Sequence, residues 1–355
     1  MKQLELDSHK LKYYPGYLLK WKNGEIIYPI TIQISPSGFC NCSCVFCVYD
    51  KVERDKIFLS FSEMRSRIKE MAALGVKSFV FSGEGEPLLN TEISRFFEYS
   101  KSNNIDCGLI TNGISLTDKL IESIVKNVTW ARFSINAGTS ECYSRVHEVE
   151  HDVFDKVFAN LKKLVDRKKK SKSDLVVGAQ IILLKENCKT IGNLASKLEK
   201  VGIDYLTVKP YLPLFNNKID YDKYKKNVEK YLDSIDGKII SNNSGFSFNI
   251  RFHSFNKLLK RTYLRCLGNP FYCEIKSNGD VVVCGVQINK KKYIYGNLYE
   301  NSFKEIWESK QRQDVKRYLE EEINIQEECM PNCRLDEVNS FLSDLNDPPD
   351  HINFI

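Results

Sequence analysis

The stretch Cys40-Asn-Cys-Ser-Cys44-Val-Phe-Cys47 sets three thiols in a C-x3-C-x2-C spacing, directly after the strand-like run Pro29-Ile-Thr-Ile-Gln-Ile-Ser35. Three thiolates on one tight loop can hold three irons of a [4Fe-4S] cube and leave the fourth iron without a protein ligand. A small molecule can chelate an iron of this kind. The spacing therefore predicts a cluster that takes part in catalysis rather than one that only stores electrons. A structural zinc site is the alternative, although it needs four ligands, usually from two loops. We interpret Cys42 as a spare thiol that can also mis-ligate the metal.

This spacing, with an aromatic residue at Phe46 before the last cysteine, resembles the signature of the radical S-adenosylmethionine (SAM) enzymes. The resemblance implies that SAM chelates the fourth iron through its amino and carboxylate groups. It also implies that one electron from the reduced cluster cleaves SAM to methionine and a 5'-deoxyadenosyl radical, which abstracts hydrogen from a substrate. The cofactor supplies the difficult step, and the protein orients it and excludes water. A flavodoxin- or ferredoxin-type reductant is the implied partner.

Length, hydropathy and cysteine content together predict a folded cytoplasmic protein. The 355 residues, 42% of them hydrophobic, can form the core of one large and one smaller domain. There is no run of about 18 apolar residues and no apolar signal peptide at the N-terminus, so we expect no membrane association. In a reducing compartment, the twelve cysteines indicate thiols and metal ligands rather than disulfides.

The net charge of +6 is modest, and its densest basic run is Arg167-Lys-Lys-Lys170, at the end of a helical segment. Basic side chains stabilise a helix C-terminus. Because no aromatic residues interleave with this run, a solvated helix end is favoured over a nucleic-acid site.

Strand-like runs alternate with helical patterns from residue 30 to 210, which is typical of a parallel sheet with crossover helices. Six strands are predicted: Ile30 to Ser35, Ser78 to Ser82, Asp106 to Thr111, Ala131 to Ile135, Leu175 to Leu183 and Tyr205 to Lys209. Six βα units are too few for an ordinary eight-stranded barrel. They match the partial (β/α)6 TIM-like barrel that the radical SAM resemblance implies, in which chemistry lies at the C-terminal ends of the strands.

Residues typical of turns and helix caps predict the ends of one helix, a β-hairpin and the division of the chain into segments. Ser60 to Glu63 has capping-box spacing and Gly75 is a typical helix stop, while Ser277-Asn-Gly279 predicts a β-hairpin. We expect five segments: an N-terminal extension (1–29), the barrel (30–210), a helical bridge (211–262), an auxiliary-cluster domain (263–340) and an irregular tail (341–355), with Phe354 packed on the body.

Polar residues at the predicted strand ends are candidates for binding SAM. Ser82-Gly-Glu-Gly-Glu-Pro87 resembles the glycine-glutamate-proline motif of the family, which implies that Gly83 and Gly85 let the backbone approach the ligand and that Glu86, or else Glu84, receives the SAM ammonium. The same resemblance implies ribose or carboxylate contacts from Thr111, Asn112, Ser134 and Asn136. For Asn112, a plain turn with Gly113 is equally favoured.

Longer polar side chains near the cavity have less specific signals. Arg145 can clamp the methionine carboxylate in a bidentate fork or pair with Glu141 or Glu148. Gln180 and Lys209 are predicted to point into the cavity, where Lys209 can bind an anion or accept a proton; a solvated lysine is the alternative. The histidines lack metal spacing and are interpreted as structural, namely His147, His151 and His253.

Cysteines in the last quarter of the chain indicate a second metal site. Their pattern, with Gly279 at a hairpin turn, resembles the SPASM and twitch auxiliary-cluster domains. The resemblance implies one auxiliary [4Fe-4S] cluster with four thiolate ligands, Cys266, Cys284, Cys329 and Cys333. Cys273 either replaces one of these ligands or is a free thiol. A zinc ribbon is the alternative.

An auxiliary cluster beside a radical site suggests an electron acceptor, and therefore an oxidation. The resemblance implies a sugar-like small molecule or a ribosomally made peptide as the substrate. Peptide modification, as cross-linking or epimerisation, is the alternative, in which Cys273, Cys142 or Cys188 returns a hydrogen atom. The resembling peptide enzymes often carry a leader-binding domain ahead of strand one, where this sequence has residues 1–29, so we favour a small molecule. Outside enzymes, an iron-sulfur or zinc carrier or scaffold is the competing hypothesis.

Overall fold

The computed structural model describes residues 9–49, 55–211, 226, 230, 245–251, 261–285, 290–329 and 333–354. In these ranges ten strands form one sheet, in the order β10-β9-β8-β1-β2-β3-β4-β5-β6-β7. The strands are β1 Thr31–Ile34, β2 Ser78–Phe81, β3 Asp106–Thr111, β4 Trp130–Ser134, β5 Val176–Leu183, β6 Tyr205–Pro210, β7 Ser247–Ile250, β8 Tyr272–Ile275, β9 Asp280–Val282 and β10 Ile294–Asn297. Pairing is parallel from β8 through β7 and antiparallel for β9 and β10.

The parallel sheet confirms the predicted α/β fold class and all six predicted strands. The helices that cross between them are α2 Phe61–Ala73, α3 Ile93–Ser102, α4 Asp118–Asn127, α5 Ser140–His147, α6 Asp152–Ser171 and α7 Ile191–Val201, and α1 Pro15–Lys22 precedes them. A seventh parallel strand, β7, falls in the segment predicted as a helical bridge. Most of that bridge, with His253, lies outside the described residues.

Because side chains alternate along each strand, one face of the sheet packs against the helices and the other faces the inside of the barrel. On β2, the fully buried Phe81 stacks edge-on against Phe96 and Phe97 of α3, with ring centroids 6.1 and 5.1 Å apart. Val80 therefore faces the inner side, since successive strand residues point to opposite faces. The strand register places Gln33 and Ser134 on that same side, which makes it the polar interior of the barrel.

Helix α2 begins where the capping-box spacing predicts, but a different group caps it. The Ser60 side chain makes no capping hydrogen bond, and the Phe61 N–H donates to Glu92 Oε2 at 3.1 Å. A carboxylate from the following βα unit thus satisfies the helix start. The predicted stop is confirmed, because Gly75 adopts a φ of +98° just after the helix.

The C-terminal segment extends the barrel sheet. Strand β8 pairs with β1, and β8 and β9 form the predicted hairpin, in which Gly279 turns with a φ of +87°. The later helices are α8 Phe303–Glu308, α9 Lys310–Arg317, α10 Ile325–Glu328 and α11 Asp336–Asn346. The expected packing of Phe354 is wrong: its side chain is 86% exposed, since it lies beyond α11 in a turn. No helix in the described ranges is long and apolar enough to cross a membrane.

Candidate metal centres and SAM site

The cysteine loop that follows β1 is held against the end of α5. The backbone N–H groups of Ser43 and Val45 donate to the carbonyls of His147 and Val146, each at 3.1 Å. These two bonds flank Cys44 and fix its place relative to the helix. The loop closes on itself where the Cys47 N–H donates to the Cys44 carbonyl at 2.8 Å.

The donor set at this loop is rich in sulfur. The ligand atoms of Cys42, Cys44 and His147 lie within 4.8 Å of one another. Cys40 also hydrogen-bonds to Cys42, and this contact together with burial raises the pKa of Cys40. Thiolates are the ligands of iron-sulfur clusters, so this donor set fits such a cluster. Cys42 therefore lies beside Cys40 and Cys44, and its interpretation as a spare thiol that can also mis-ligate the metal stays a prediction.

The Ser82 to Pro87 segment packs directly against the cysteine loop. The Glu86 N–H donates to the Phe39 carbonyl at 2.8 Å. A Cβ added at Gly85 would lie 2.1 Å from the Phe39 oxygen, and Gly83 has a φ of +130° beside Ser35. Only glycine fits positions this close to another backbone. The two glycines thus bring the polar backbone of this segment to the cysteine loop, as a ligand shared by both would require.

The two carboxylates of this segment have different partners. Buried Glu86 accepts hydrogen bonds from the Thr111 hydroxyl at 2.5 Å and from the backbone N–H groups of Asn112 and Leu88 at 2.8 and 3.0 Å. Burial raises the Glu86 pKa, and these bonds oppose the rise. Glu84 accepts from the backbone N–H and hydroxyl of Ser277 at 2.9 and 3.0 Å. Glu86 therefore organises the end of β3, and Glu84 joins the barrel to the C-terminal hairpin.

Three predicted residues form a hydrogen-bonded chain across the strand ends of the barrel interior. Lys209 Nζ donates to Gln180 Oε1 at 2.8 Å, and Gln180 Nε2 donates to the Ser134 hydroxyl at 3.1 Å. Burial holds the pKa of Lys209 well below its usual range, and neighbouring arginines add to this effect, namely Arg132, Arg251 and Arg334. Proton loss from this amine is therefore easier than from a surface lysine.

The remaining predicted residues near this site lie as follows. Asn136 is buried, with its Oδ1 accepting from the Ile182 N–H at 2.8 Å and its Nδ2 3.2 Å from His147 Nε2. Phe46 meets the His147 ring edge-on at 6.2 Å. Arg145 is exposed on α5 and interacts with Cys142.

The four cysteines of the C-terminal segment converge. Burial raises the pKa of Cys266 and nearby thiols raise it further, those of Cys333, Cys284 and Cys329. The Leu335 N–H points at the Cys333 sulfur from 3.3 Å, a contact suited to a thiolate. Cys273 is fully buried on β8, and its charged neighbours are Arg312 and Glu274. The structure thus groups the four predicted ligands and places Cys273 in a different environment.

Comparison with known proteins decides the family. A model of the radical SAM superfamily matches residues 34–198, and a model of the SPASM iron-sulfur cluster-binding domain matches residues 266–334. The chain belongs to the radical SAM superfamily. It is an enzyme. Its cofactors are SAM, a [4Fe-4S] cluster in the radical SAM domain, and auxiliary iron-sulfur clusters in the SPASM domain.

The relatives of this radical SAM protein are named for different reactions. It is 23% identical over 290 residues to the tungsten-containing aldehyde ferredoxin oxidoreductase cofactor-modifying protein of Pyrococcus furiosus, covering 76% of this chain and 78% of that one. It is 22% identical over 295 residues to the AdoMet-dependent heme synthase of Methanosarcina barkeri, covering 76% and 79%. Among solved structures, Streptococcus suis SuiB bound to precursor peptide SuiA matches with a TM-score of 0.64 at 17% identity, covering 84% of this chain and 69% of SuiB.

Two features of this radical SAM site escaped sequence reasoning. His147, interpreted as structural, has its Nδ1 3.3 Å from the Cys44 sulfur, and burial lowers its pKa to about 3. Glu274 is buried in β8, where it accepts hydrogen bonds from Tyr272 at 2.6 Å and Gln33 at 3.0 Å. The sequence could have pointed to Glu274, because a carboxylate inside the apolar run of β8 is unusual. Nothing in the sequence around His147 pointed to its contact with Cys44.

Proposed function

We propose that this radical SAM enzyme dehydrogenates a sugar-like small molecule, converting an alcohol to a ketone. One observation carries the proposal: Cys266, Cys284, Cys329 and Cys333 converge in a unit built directly onto the barrel sheet. Four thiolates complete the coordination of a cluster and favour electron transfer over substrate binding. An electron acceptor beside a radical site makes oxidation the reaction that this architecture supports best.

The two cysteine sites are linked through short and specific contacts. Strand β8 pairs in register with β1, the strand that leads into the Cys40 to Cys47 loop. The hydrogen bonds from Ser277 to Glu84 join the hairpin turn to the segment that packs on that loop. These contacts fix the placement of one site relative to the other, which supports the proposal that an electron is transferred between them.

We assign Cys40, Cys44 and Cys47 to the SAM-binding cluster and the four C-terminal cysteines to one auxiliary cluster. When bound, SAM and its cluster supply a radical that removes a hydrogen atom from carbon, and the auxiliary cluster takes up one electron. The segment from Gly83 to Glu86 positions the ligand beside the loop. A flavodoxin- or ferredoxin-type protein supplies the initial electron.

Lys209 is the proposed base. After a hydrogen atom leaves the substrate carbon, the hydroxyl must still lose a proton and the carbon an electron before the C=O bond is complete. Lys209 can accept the proton because burial favours its neutral amine, and Gln180 and Ser134 supply further hydrogen-bonding groups for substrate hydroxyls. A cluster held by the four C-terminal cysteines would accept the electron that the substrate carbon loses.

The test is anaerobic turnover with SAM across candidate polyols, sugars and peptides, with 5'-deoxyadenosine and oxidised product both quantified. Lys209→Met should still cleave SAM but form little ketone, whereas Lys200→Met on the exposed face of α7 should match the wild type. In the wild type, product per SAM cleaved should rise with pH, because a lysine with a lowered pKa becomes a neutral base as pH increases. Full ketone formation by Lys209→Met would remove Lys209 from this role.

Peptide modification is the second candidate. It is supported by the fold likeness to SuiB, which is described bound to its precursor peptide. Two of the three thiols considered as hydrogen donors have protein partners: Cys142 donates to the Glu186 carbonyl and Cys188 to the Lys185 carbonyl, each at 3.3 Å. Turnover of a peptide with no activity on any hydroxylated small molecule would favour this candidate over dehydrogenation.

A further inference from the structure

We propose that His147 is a positioning residue that donates a hydrogen bond from Nδ1 to the Cys44 sulfur and thereby raises the reduction potential of the SAM-binding cluster. The distance between these two atoms is 3.3 Å, and the His147 side chain is 1% exposed. The inference rests on the proposed role of Cys44 as an iron ligand.

The backbone determines which imidazole nitrogen carries the proton. The Asn136 N–H points at His147 Nε2 from 3.2 Å, and a backbone N–H can only donate. Nε2 must therefore be the acceptor, so the single proton of the neutral ring lies on Nδ1. That proton faces the Cys44 sulfur, whereas a protonated Nδ1 has no lone pair with which to bind iron.

Two sets of contacts hold the His147 ring in position beside Cys44. The Ser43 and Val45 N–H groups bond to the carbonyls of His147 and Val146, so the loop residues next to Cys44 are tied to the helix turn that carries the histidine. The His147 ring also stacks on Tyr143, with centroids 4.1 Å apart and planes 21° apart. Backbone and ring contacts therefore aim Nδ1 at the sulfur.

A donor placed on a cluster sulfur favours the reduced cluster, which carries one more negative charge. Hydrogen bonds to cluster sulfurs are among the features that set the potential of iron-sulfur proteins. The first step of this enzyme's chemistry requires reduction of that cluster. His147 would therefore ease the electron delivery on which SAM cleavage depends.

The experiment compares His147→Phe, His147→Asn and His151→Phe with the wild type in anaerobically reconstituted protein. Phenylalanine keeps a ring against Tyr143 but cannot donate, and asparagine places an N–H near the position of Nδ1. His151 is an exposed histidine, so its variant controls for the chemical change alone. The readouts are iron content and the potential of the SAM-binding cluster, identified by the response of its electron paramagnetic resonance (EPR) spectrum to SAM, with the auxiliary cluster as internal reference.

We expect the reduction equilibrium constant in His147→Phe to fall about tenfold, which is about 59 mV for a one-electron couple. His147→Asn should stay within roughly threefold of the wild type, because it restores a donor. His151→Phe and the auxiliary cluster should not change. In wild-type protein labelled with 15N-histidine, the reduced cluster should show weak nitrogen coupling through the hydrogen bond.

Three outcomes would overturn the inference: an unchanged potential in His147→Phe with full iron, strong coupling typical of a directly bound nitrogen, or no nitrogen coupling. If His147→Phe fails to retain iron, His147→Asn decides, since a tenfold loss in that variant despite its donor would also contradict the inference. The assignment of Cys44 as an iron ligand has a separate test. A Cys44→Ala variant that keeps its full iron content would show that Cys44 is not a ligand.

Discussion

The two cysteine regions of the molecule differ in how their ligands are spread along the chain. The first places Cys40, Cys44 and Cys47 on one loop, whereas the second gathers four cysteines between Cys266 and Cys333 from separate elements. A short loop supplies three thiolates to one side of a cluster and leaves an iron corner exposed. Ligands from several elements can surround a cluster completely. The difference supports the proposal that the first region performs chemistry and the second transfers electrons.

The largest effect is expected from removing the loop ligands. The combined substitution Cys40→Ala, Cys44→Ala and Cys47→Ala should lower iron content from about eight to about four per chain, because one four-iron cluster is lost. All 5'-deoxyadenosine formation should disappear with it. Cys107→Ala, a buried thiol on β3 apart from both regions, is the matched control and should keep both properties. A triple variant that still cleaves SAM would contradict the assigned roles.

The second region should respond differently. Cys284→Ala is expected to lose about four irons and the oxidised product, yet to retain SAM cleavage uncoupled from product formation. Cys273→Ala serves as control, because the charged neighbours of that thiol are Arg312 and Glu274 rather than the other four thiols, and its iron content should match the wild type. Equal product from Cys284→Ala would remove the electron-acceptor role, and iron loss in Cys273→Ala would revise the ligand set.

The contact between the two regions can be weakened directly. Glu84→Ala should lower the free energy of unfolding by about 1–3 kcal/mol, because it leaves the Ser277 N–H buried without its carboxylate acceptor. Chemical denaturation of the reconstituted protein measures the loss, and Glu98→Ala, on the exposed face of α3, is the control. A Glu84→Ala curve that overlays the control would show that this contact does not join the regions.

The smallest effect concerns the hairpin turn of the second region. Gly279 has a φ of +87°, and an added Cβ would lie 3.0 Å from Asn297 Oδ1. Gly279→Ala should therefore cost about 1–2 kcal/mol of stability. At Gly16, in the first turn of α1, a Cβ meets nothing within 4 Å, and Gly16→Ala should be neutral or slightly stabilising. Equal midpoints for the two variants would rule out this backbone argument.

Features encoded over short distances in the chain were predictable from sequence. The apolar run from Ser78 to Ser82 indicated a strand, Gly279 indicated a hairpin, and the loop cysteines indicated the family. Contacts between distant residues were not predictable, because no spacing rule links Cys44 to His147, 103 positions later, or Glu84 to Ser277, 193 positions later. Those pairs meet only because the sheet brings α5 and the hairpin to the same edge. The same limitation applies to Phe354, whose apolar character said nothing about whether a surface lay within its reach.

The open iron corner of the first region is tested most directly by the EPR spectrum of reduced Cys284→Ala, recorded with and without SAM. With the auxiliary cluster removed, the remaining signal comes from the loop cluster alone. A signal that shifts when SAM is added is the predicted result. A spectrum indifferent to SAM, or a protein that holds zinc and no iron, would contradict it.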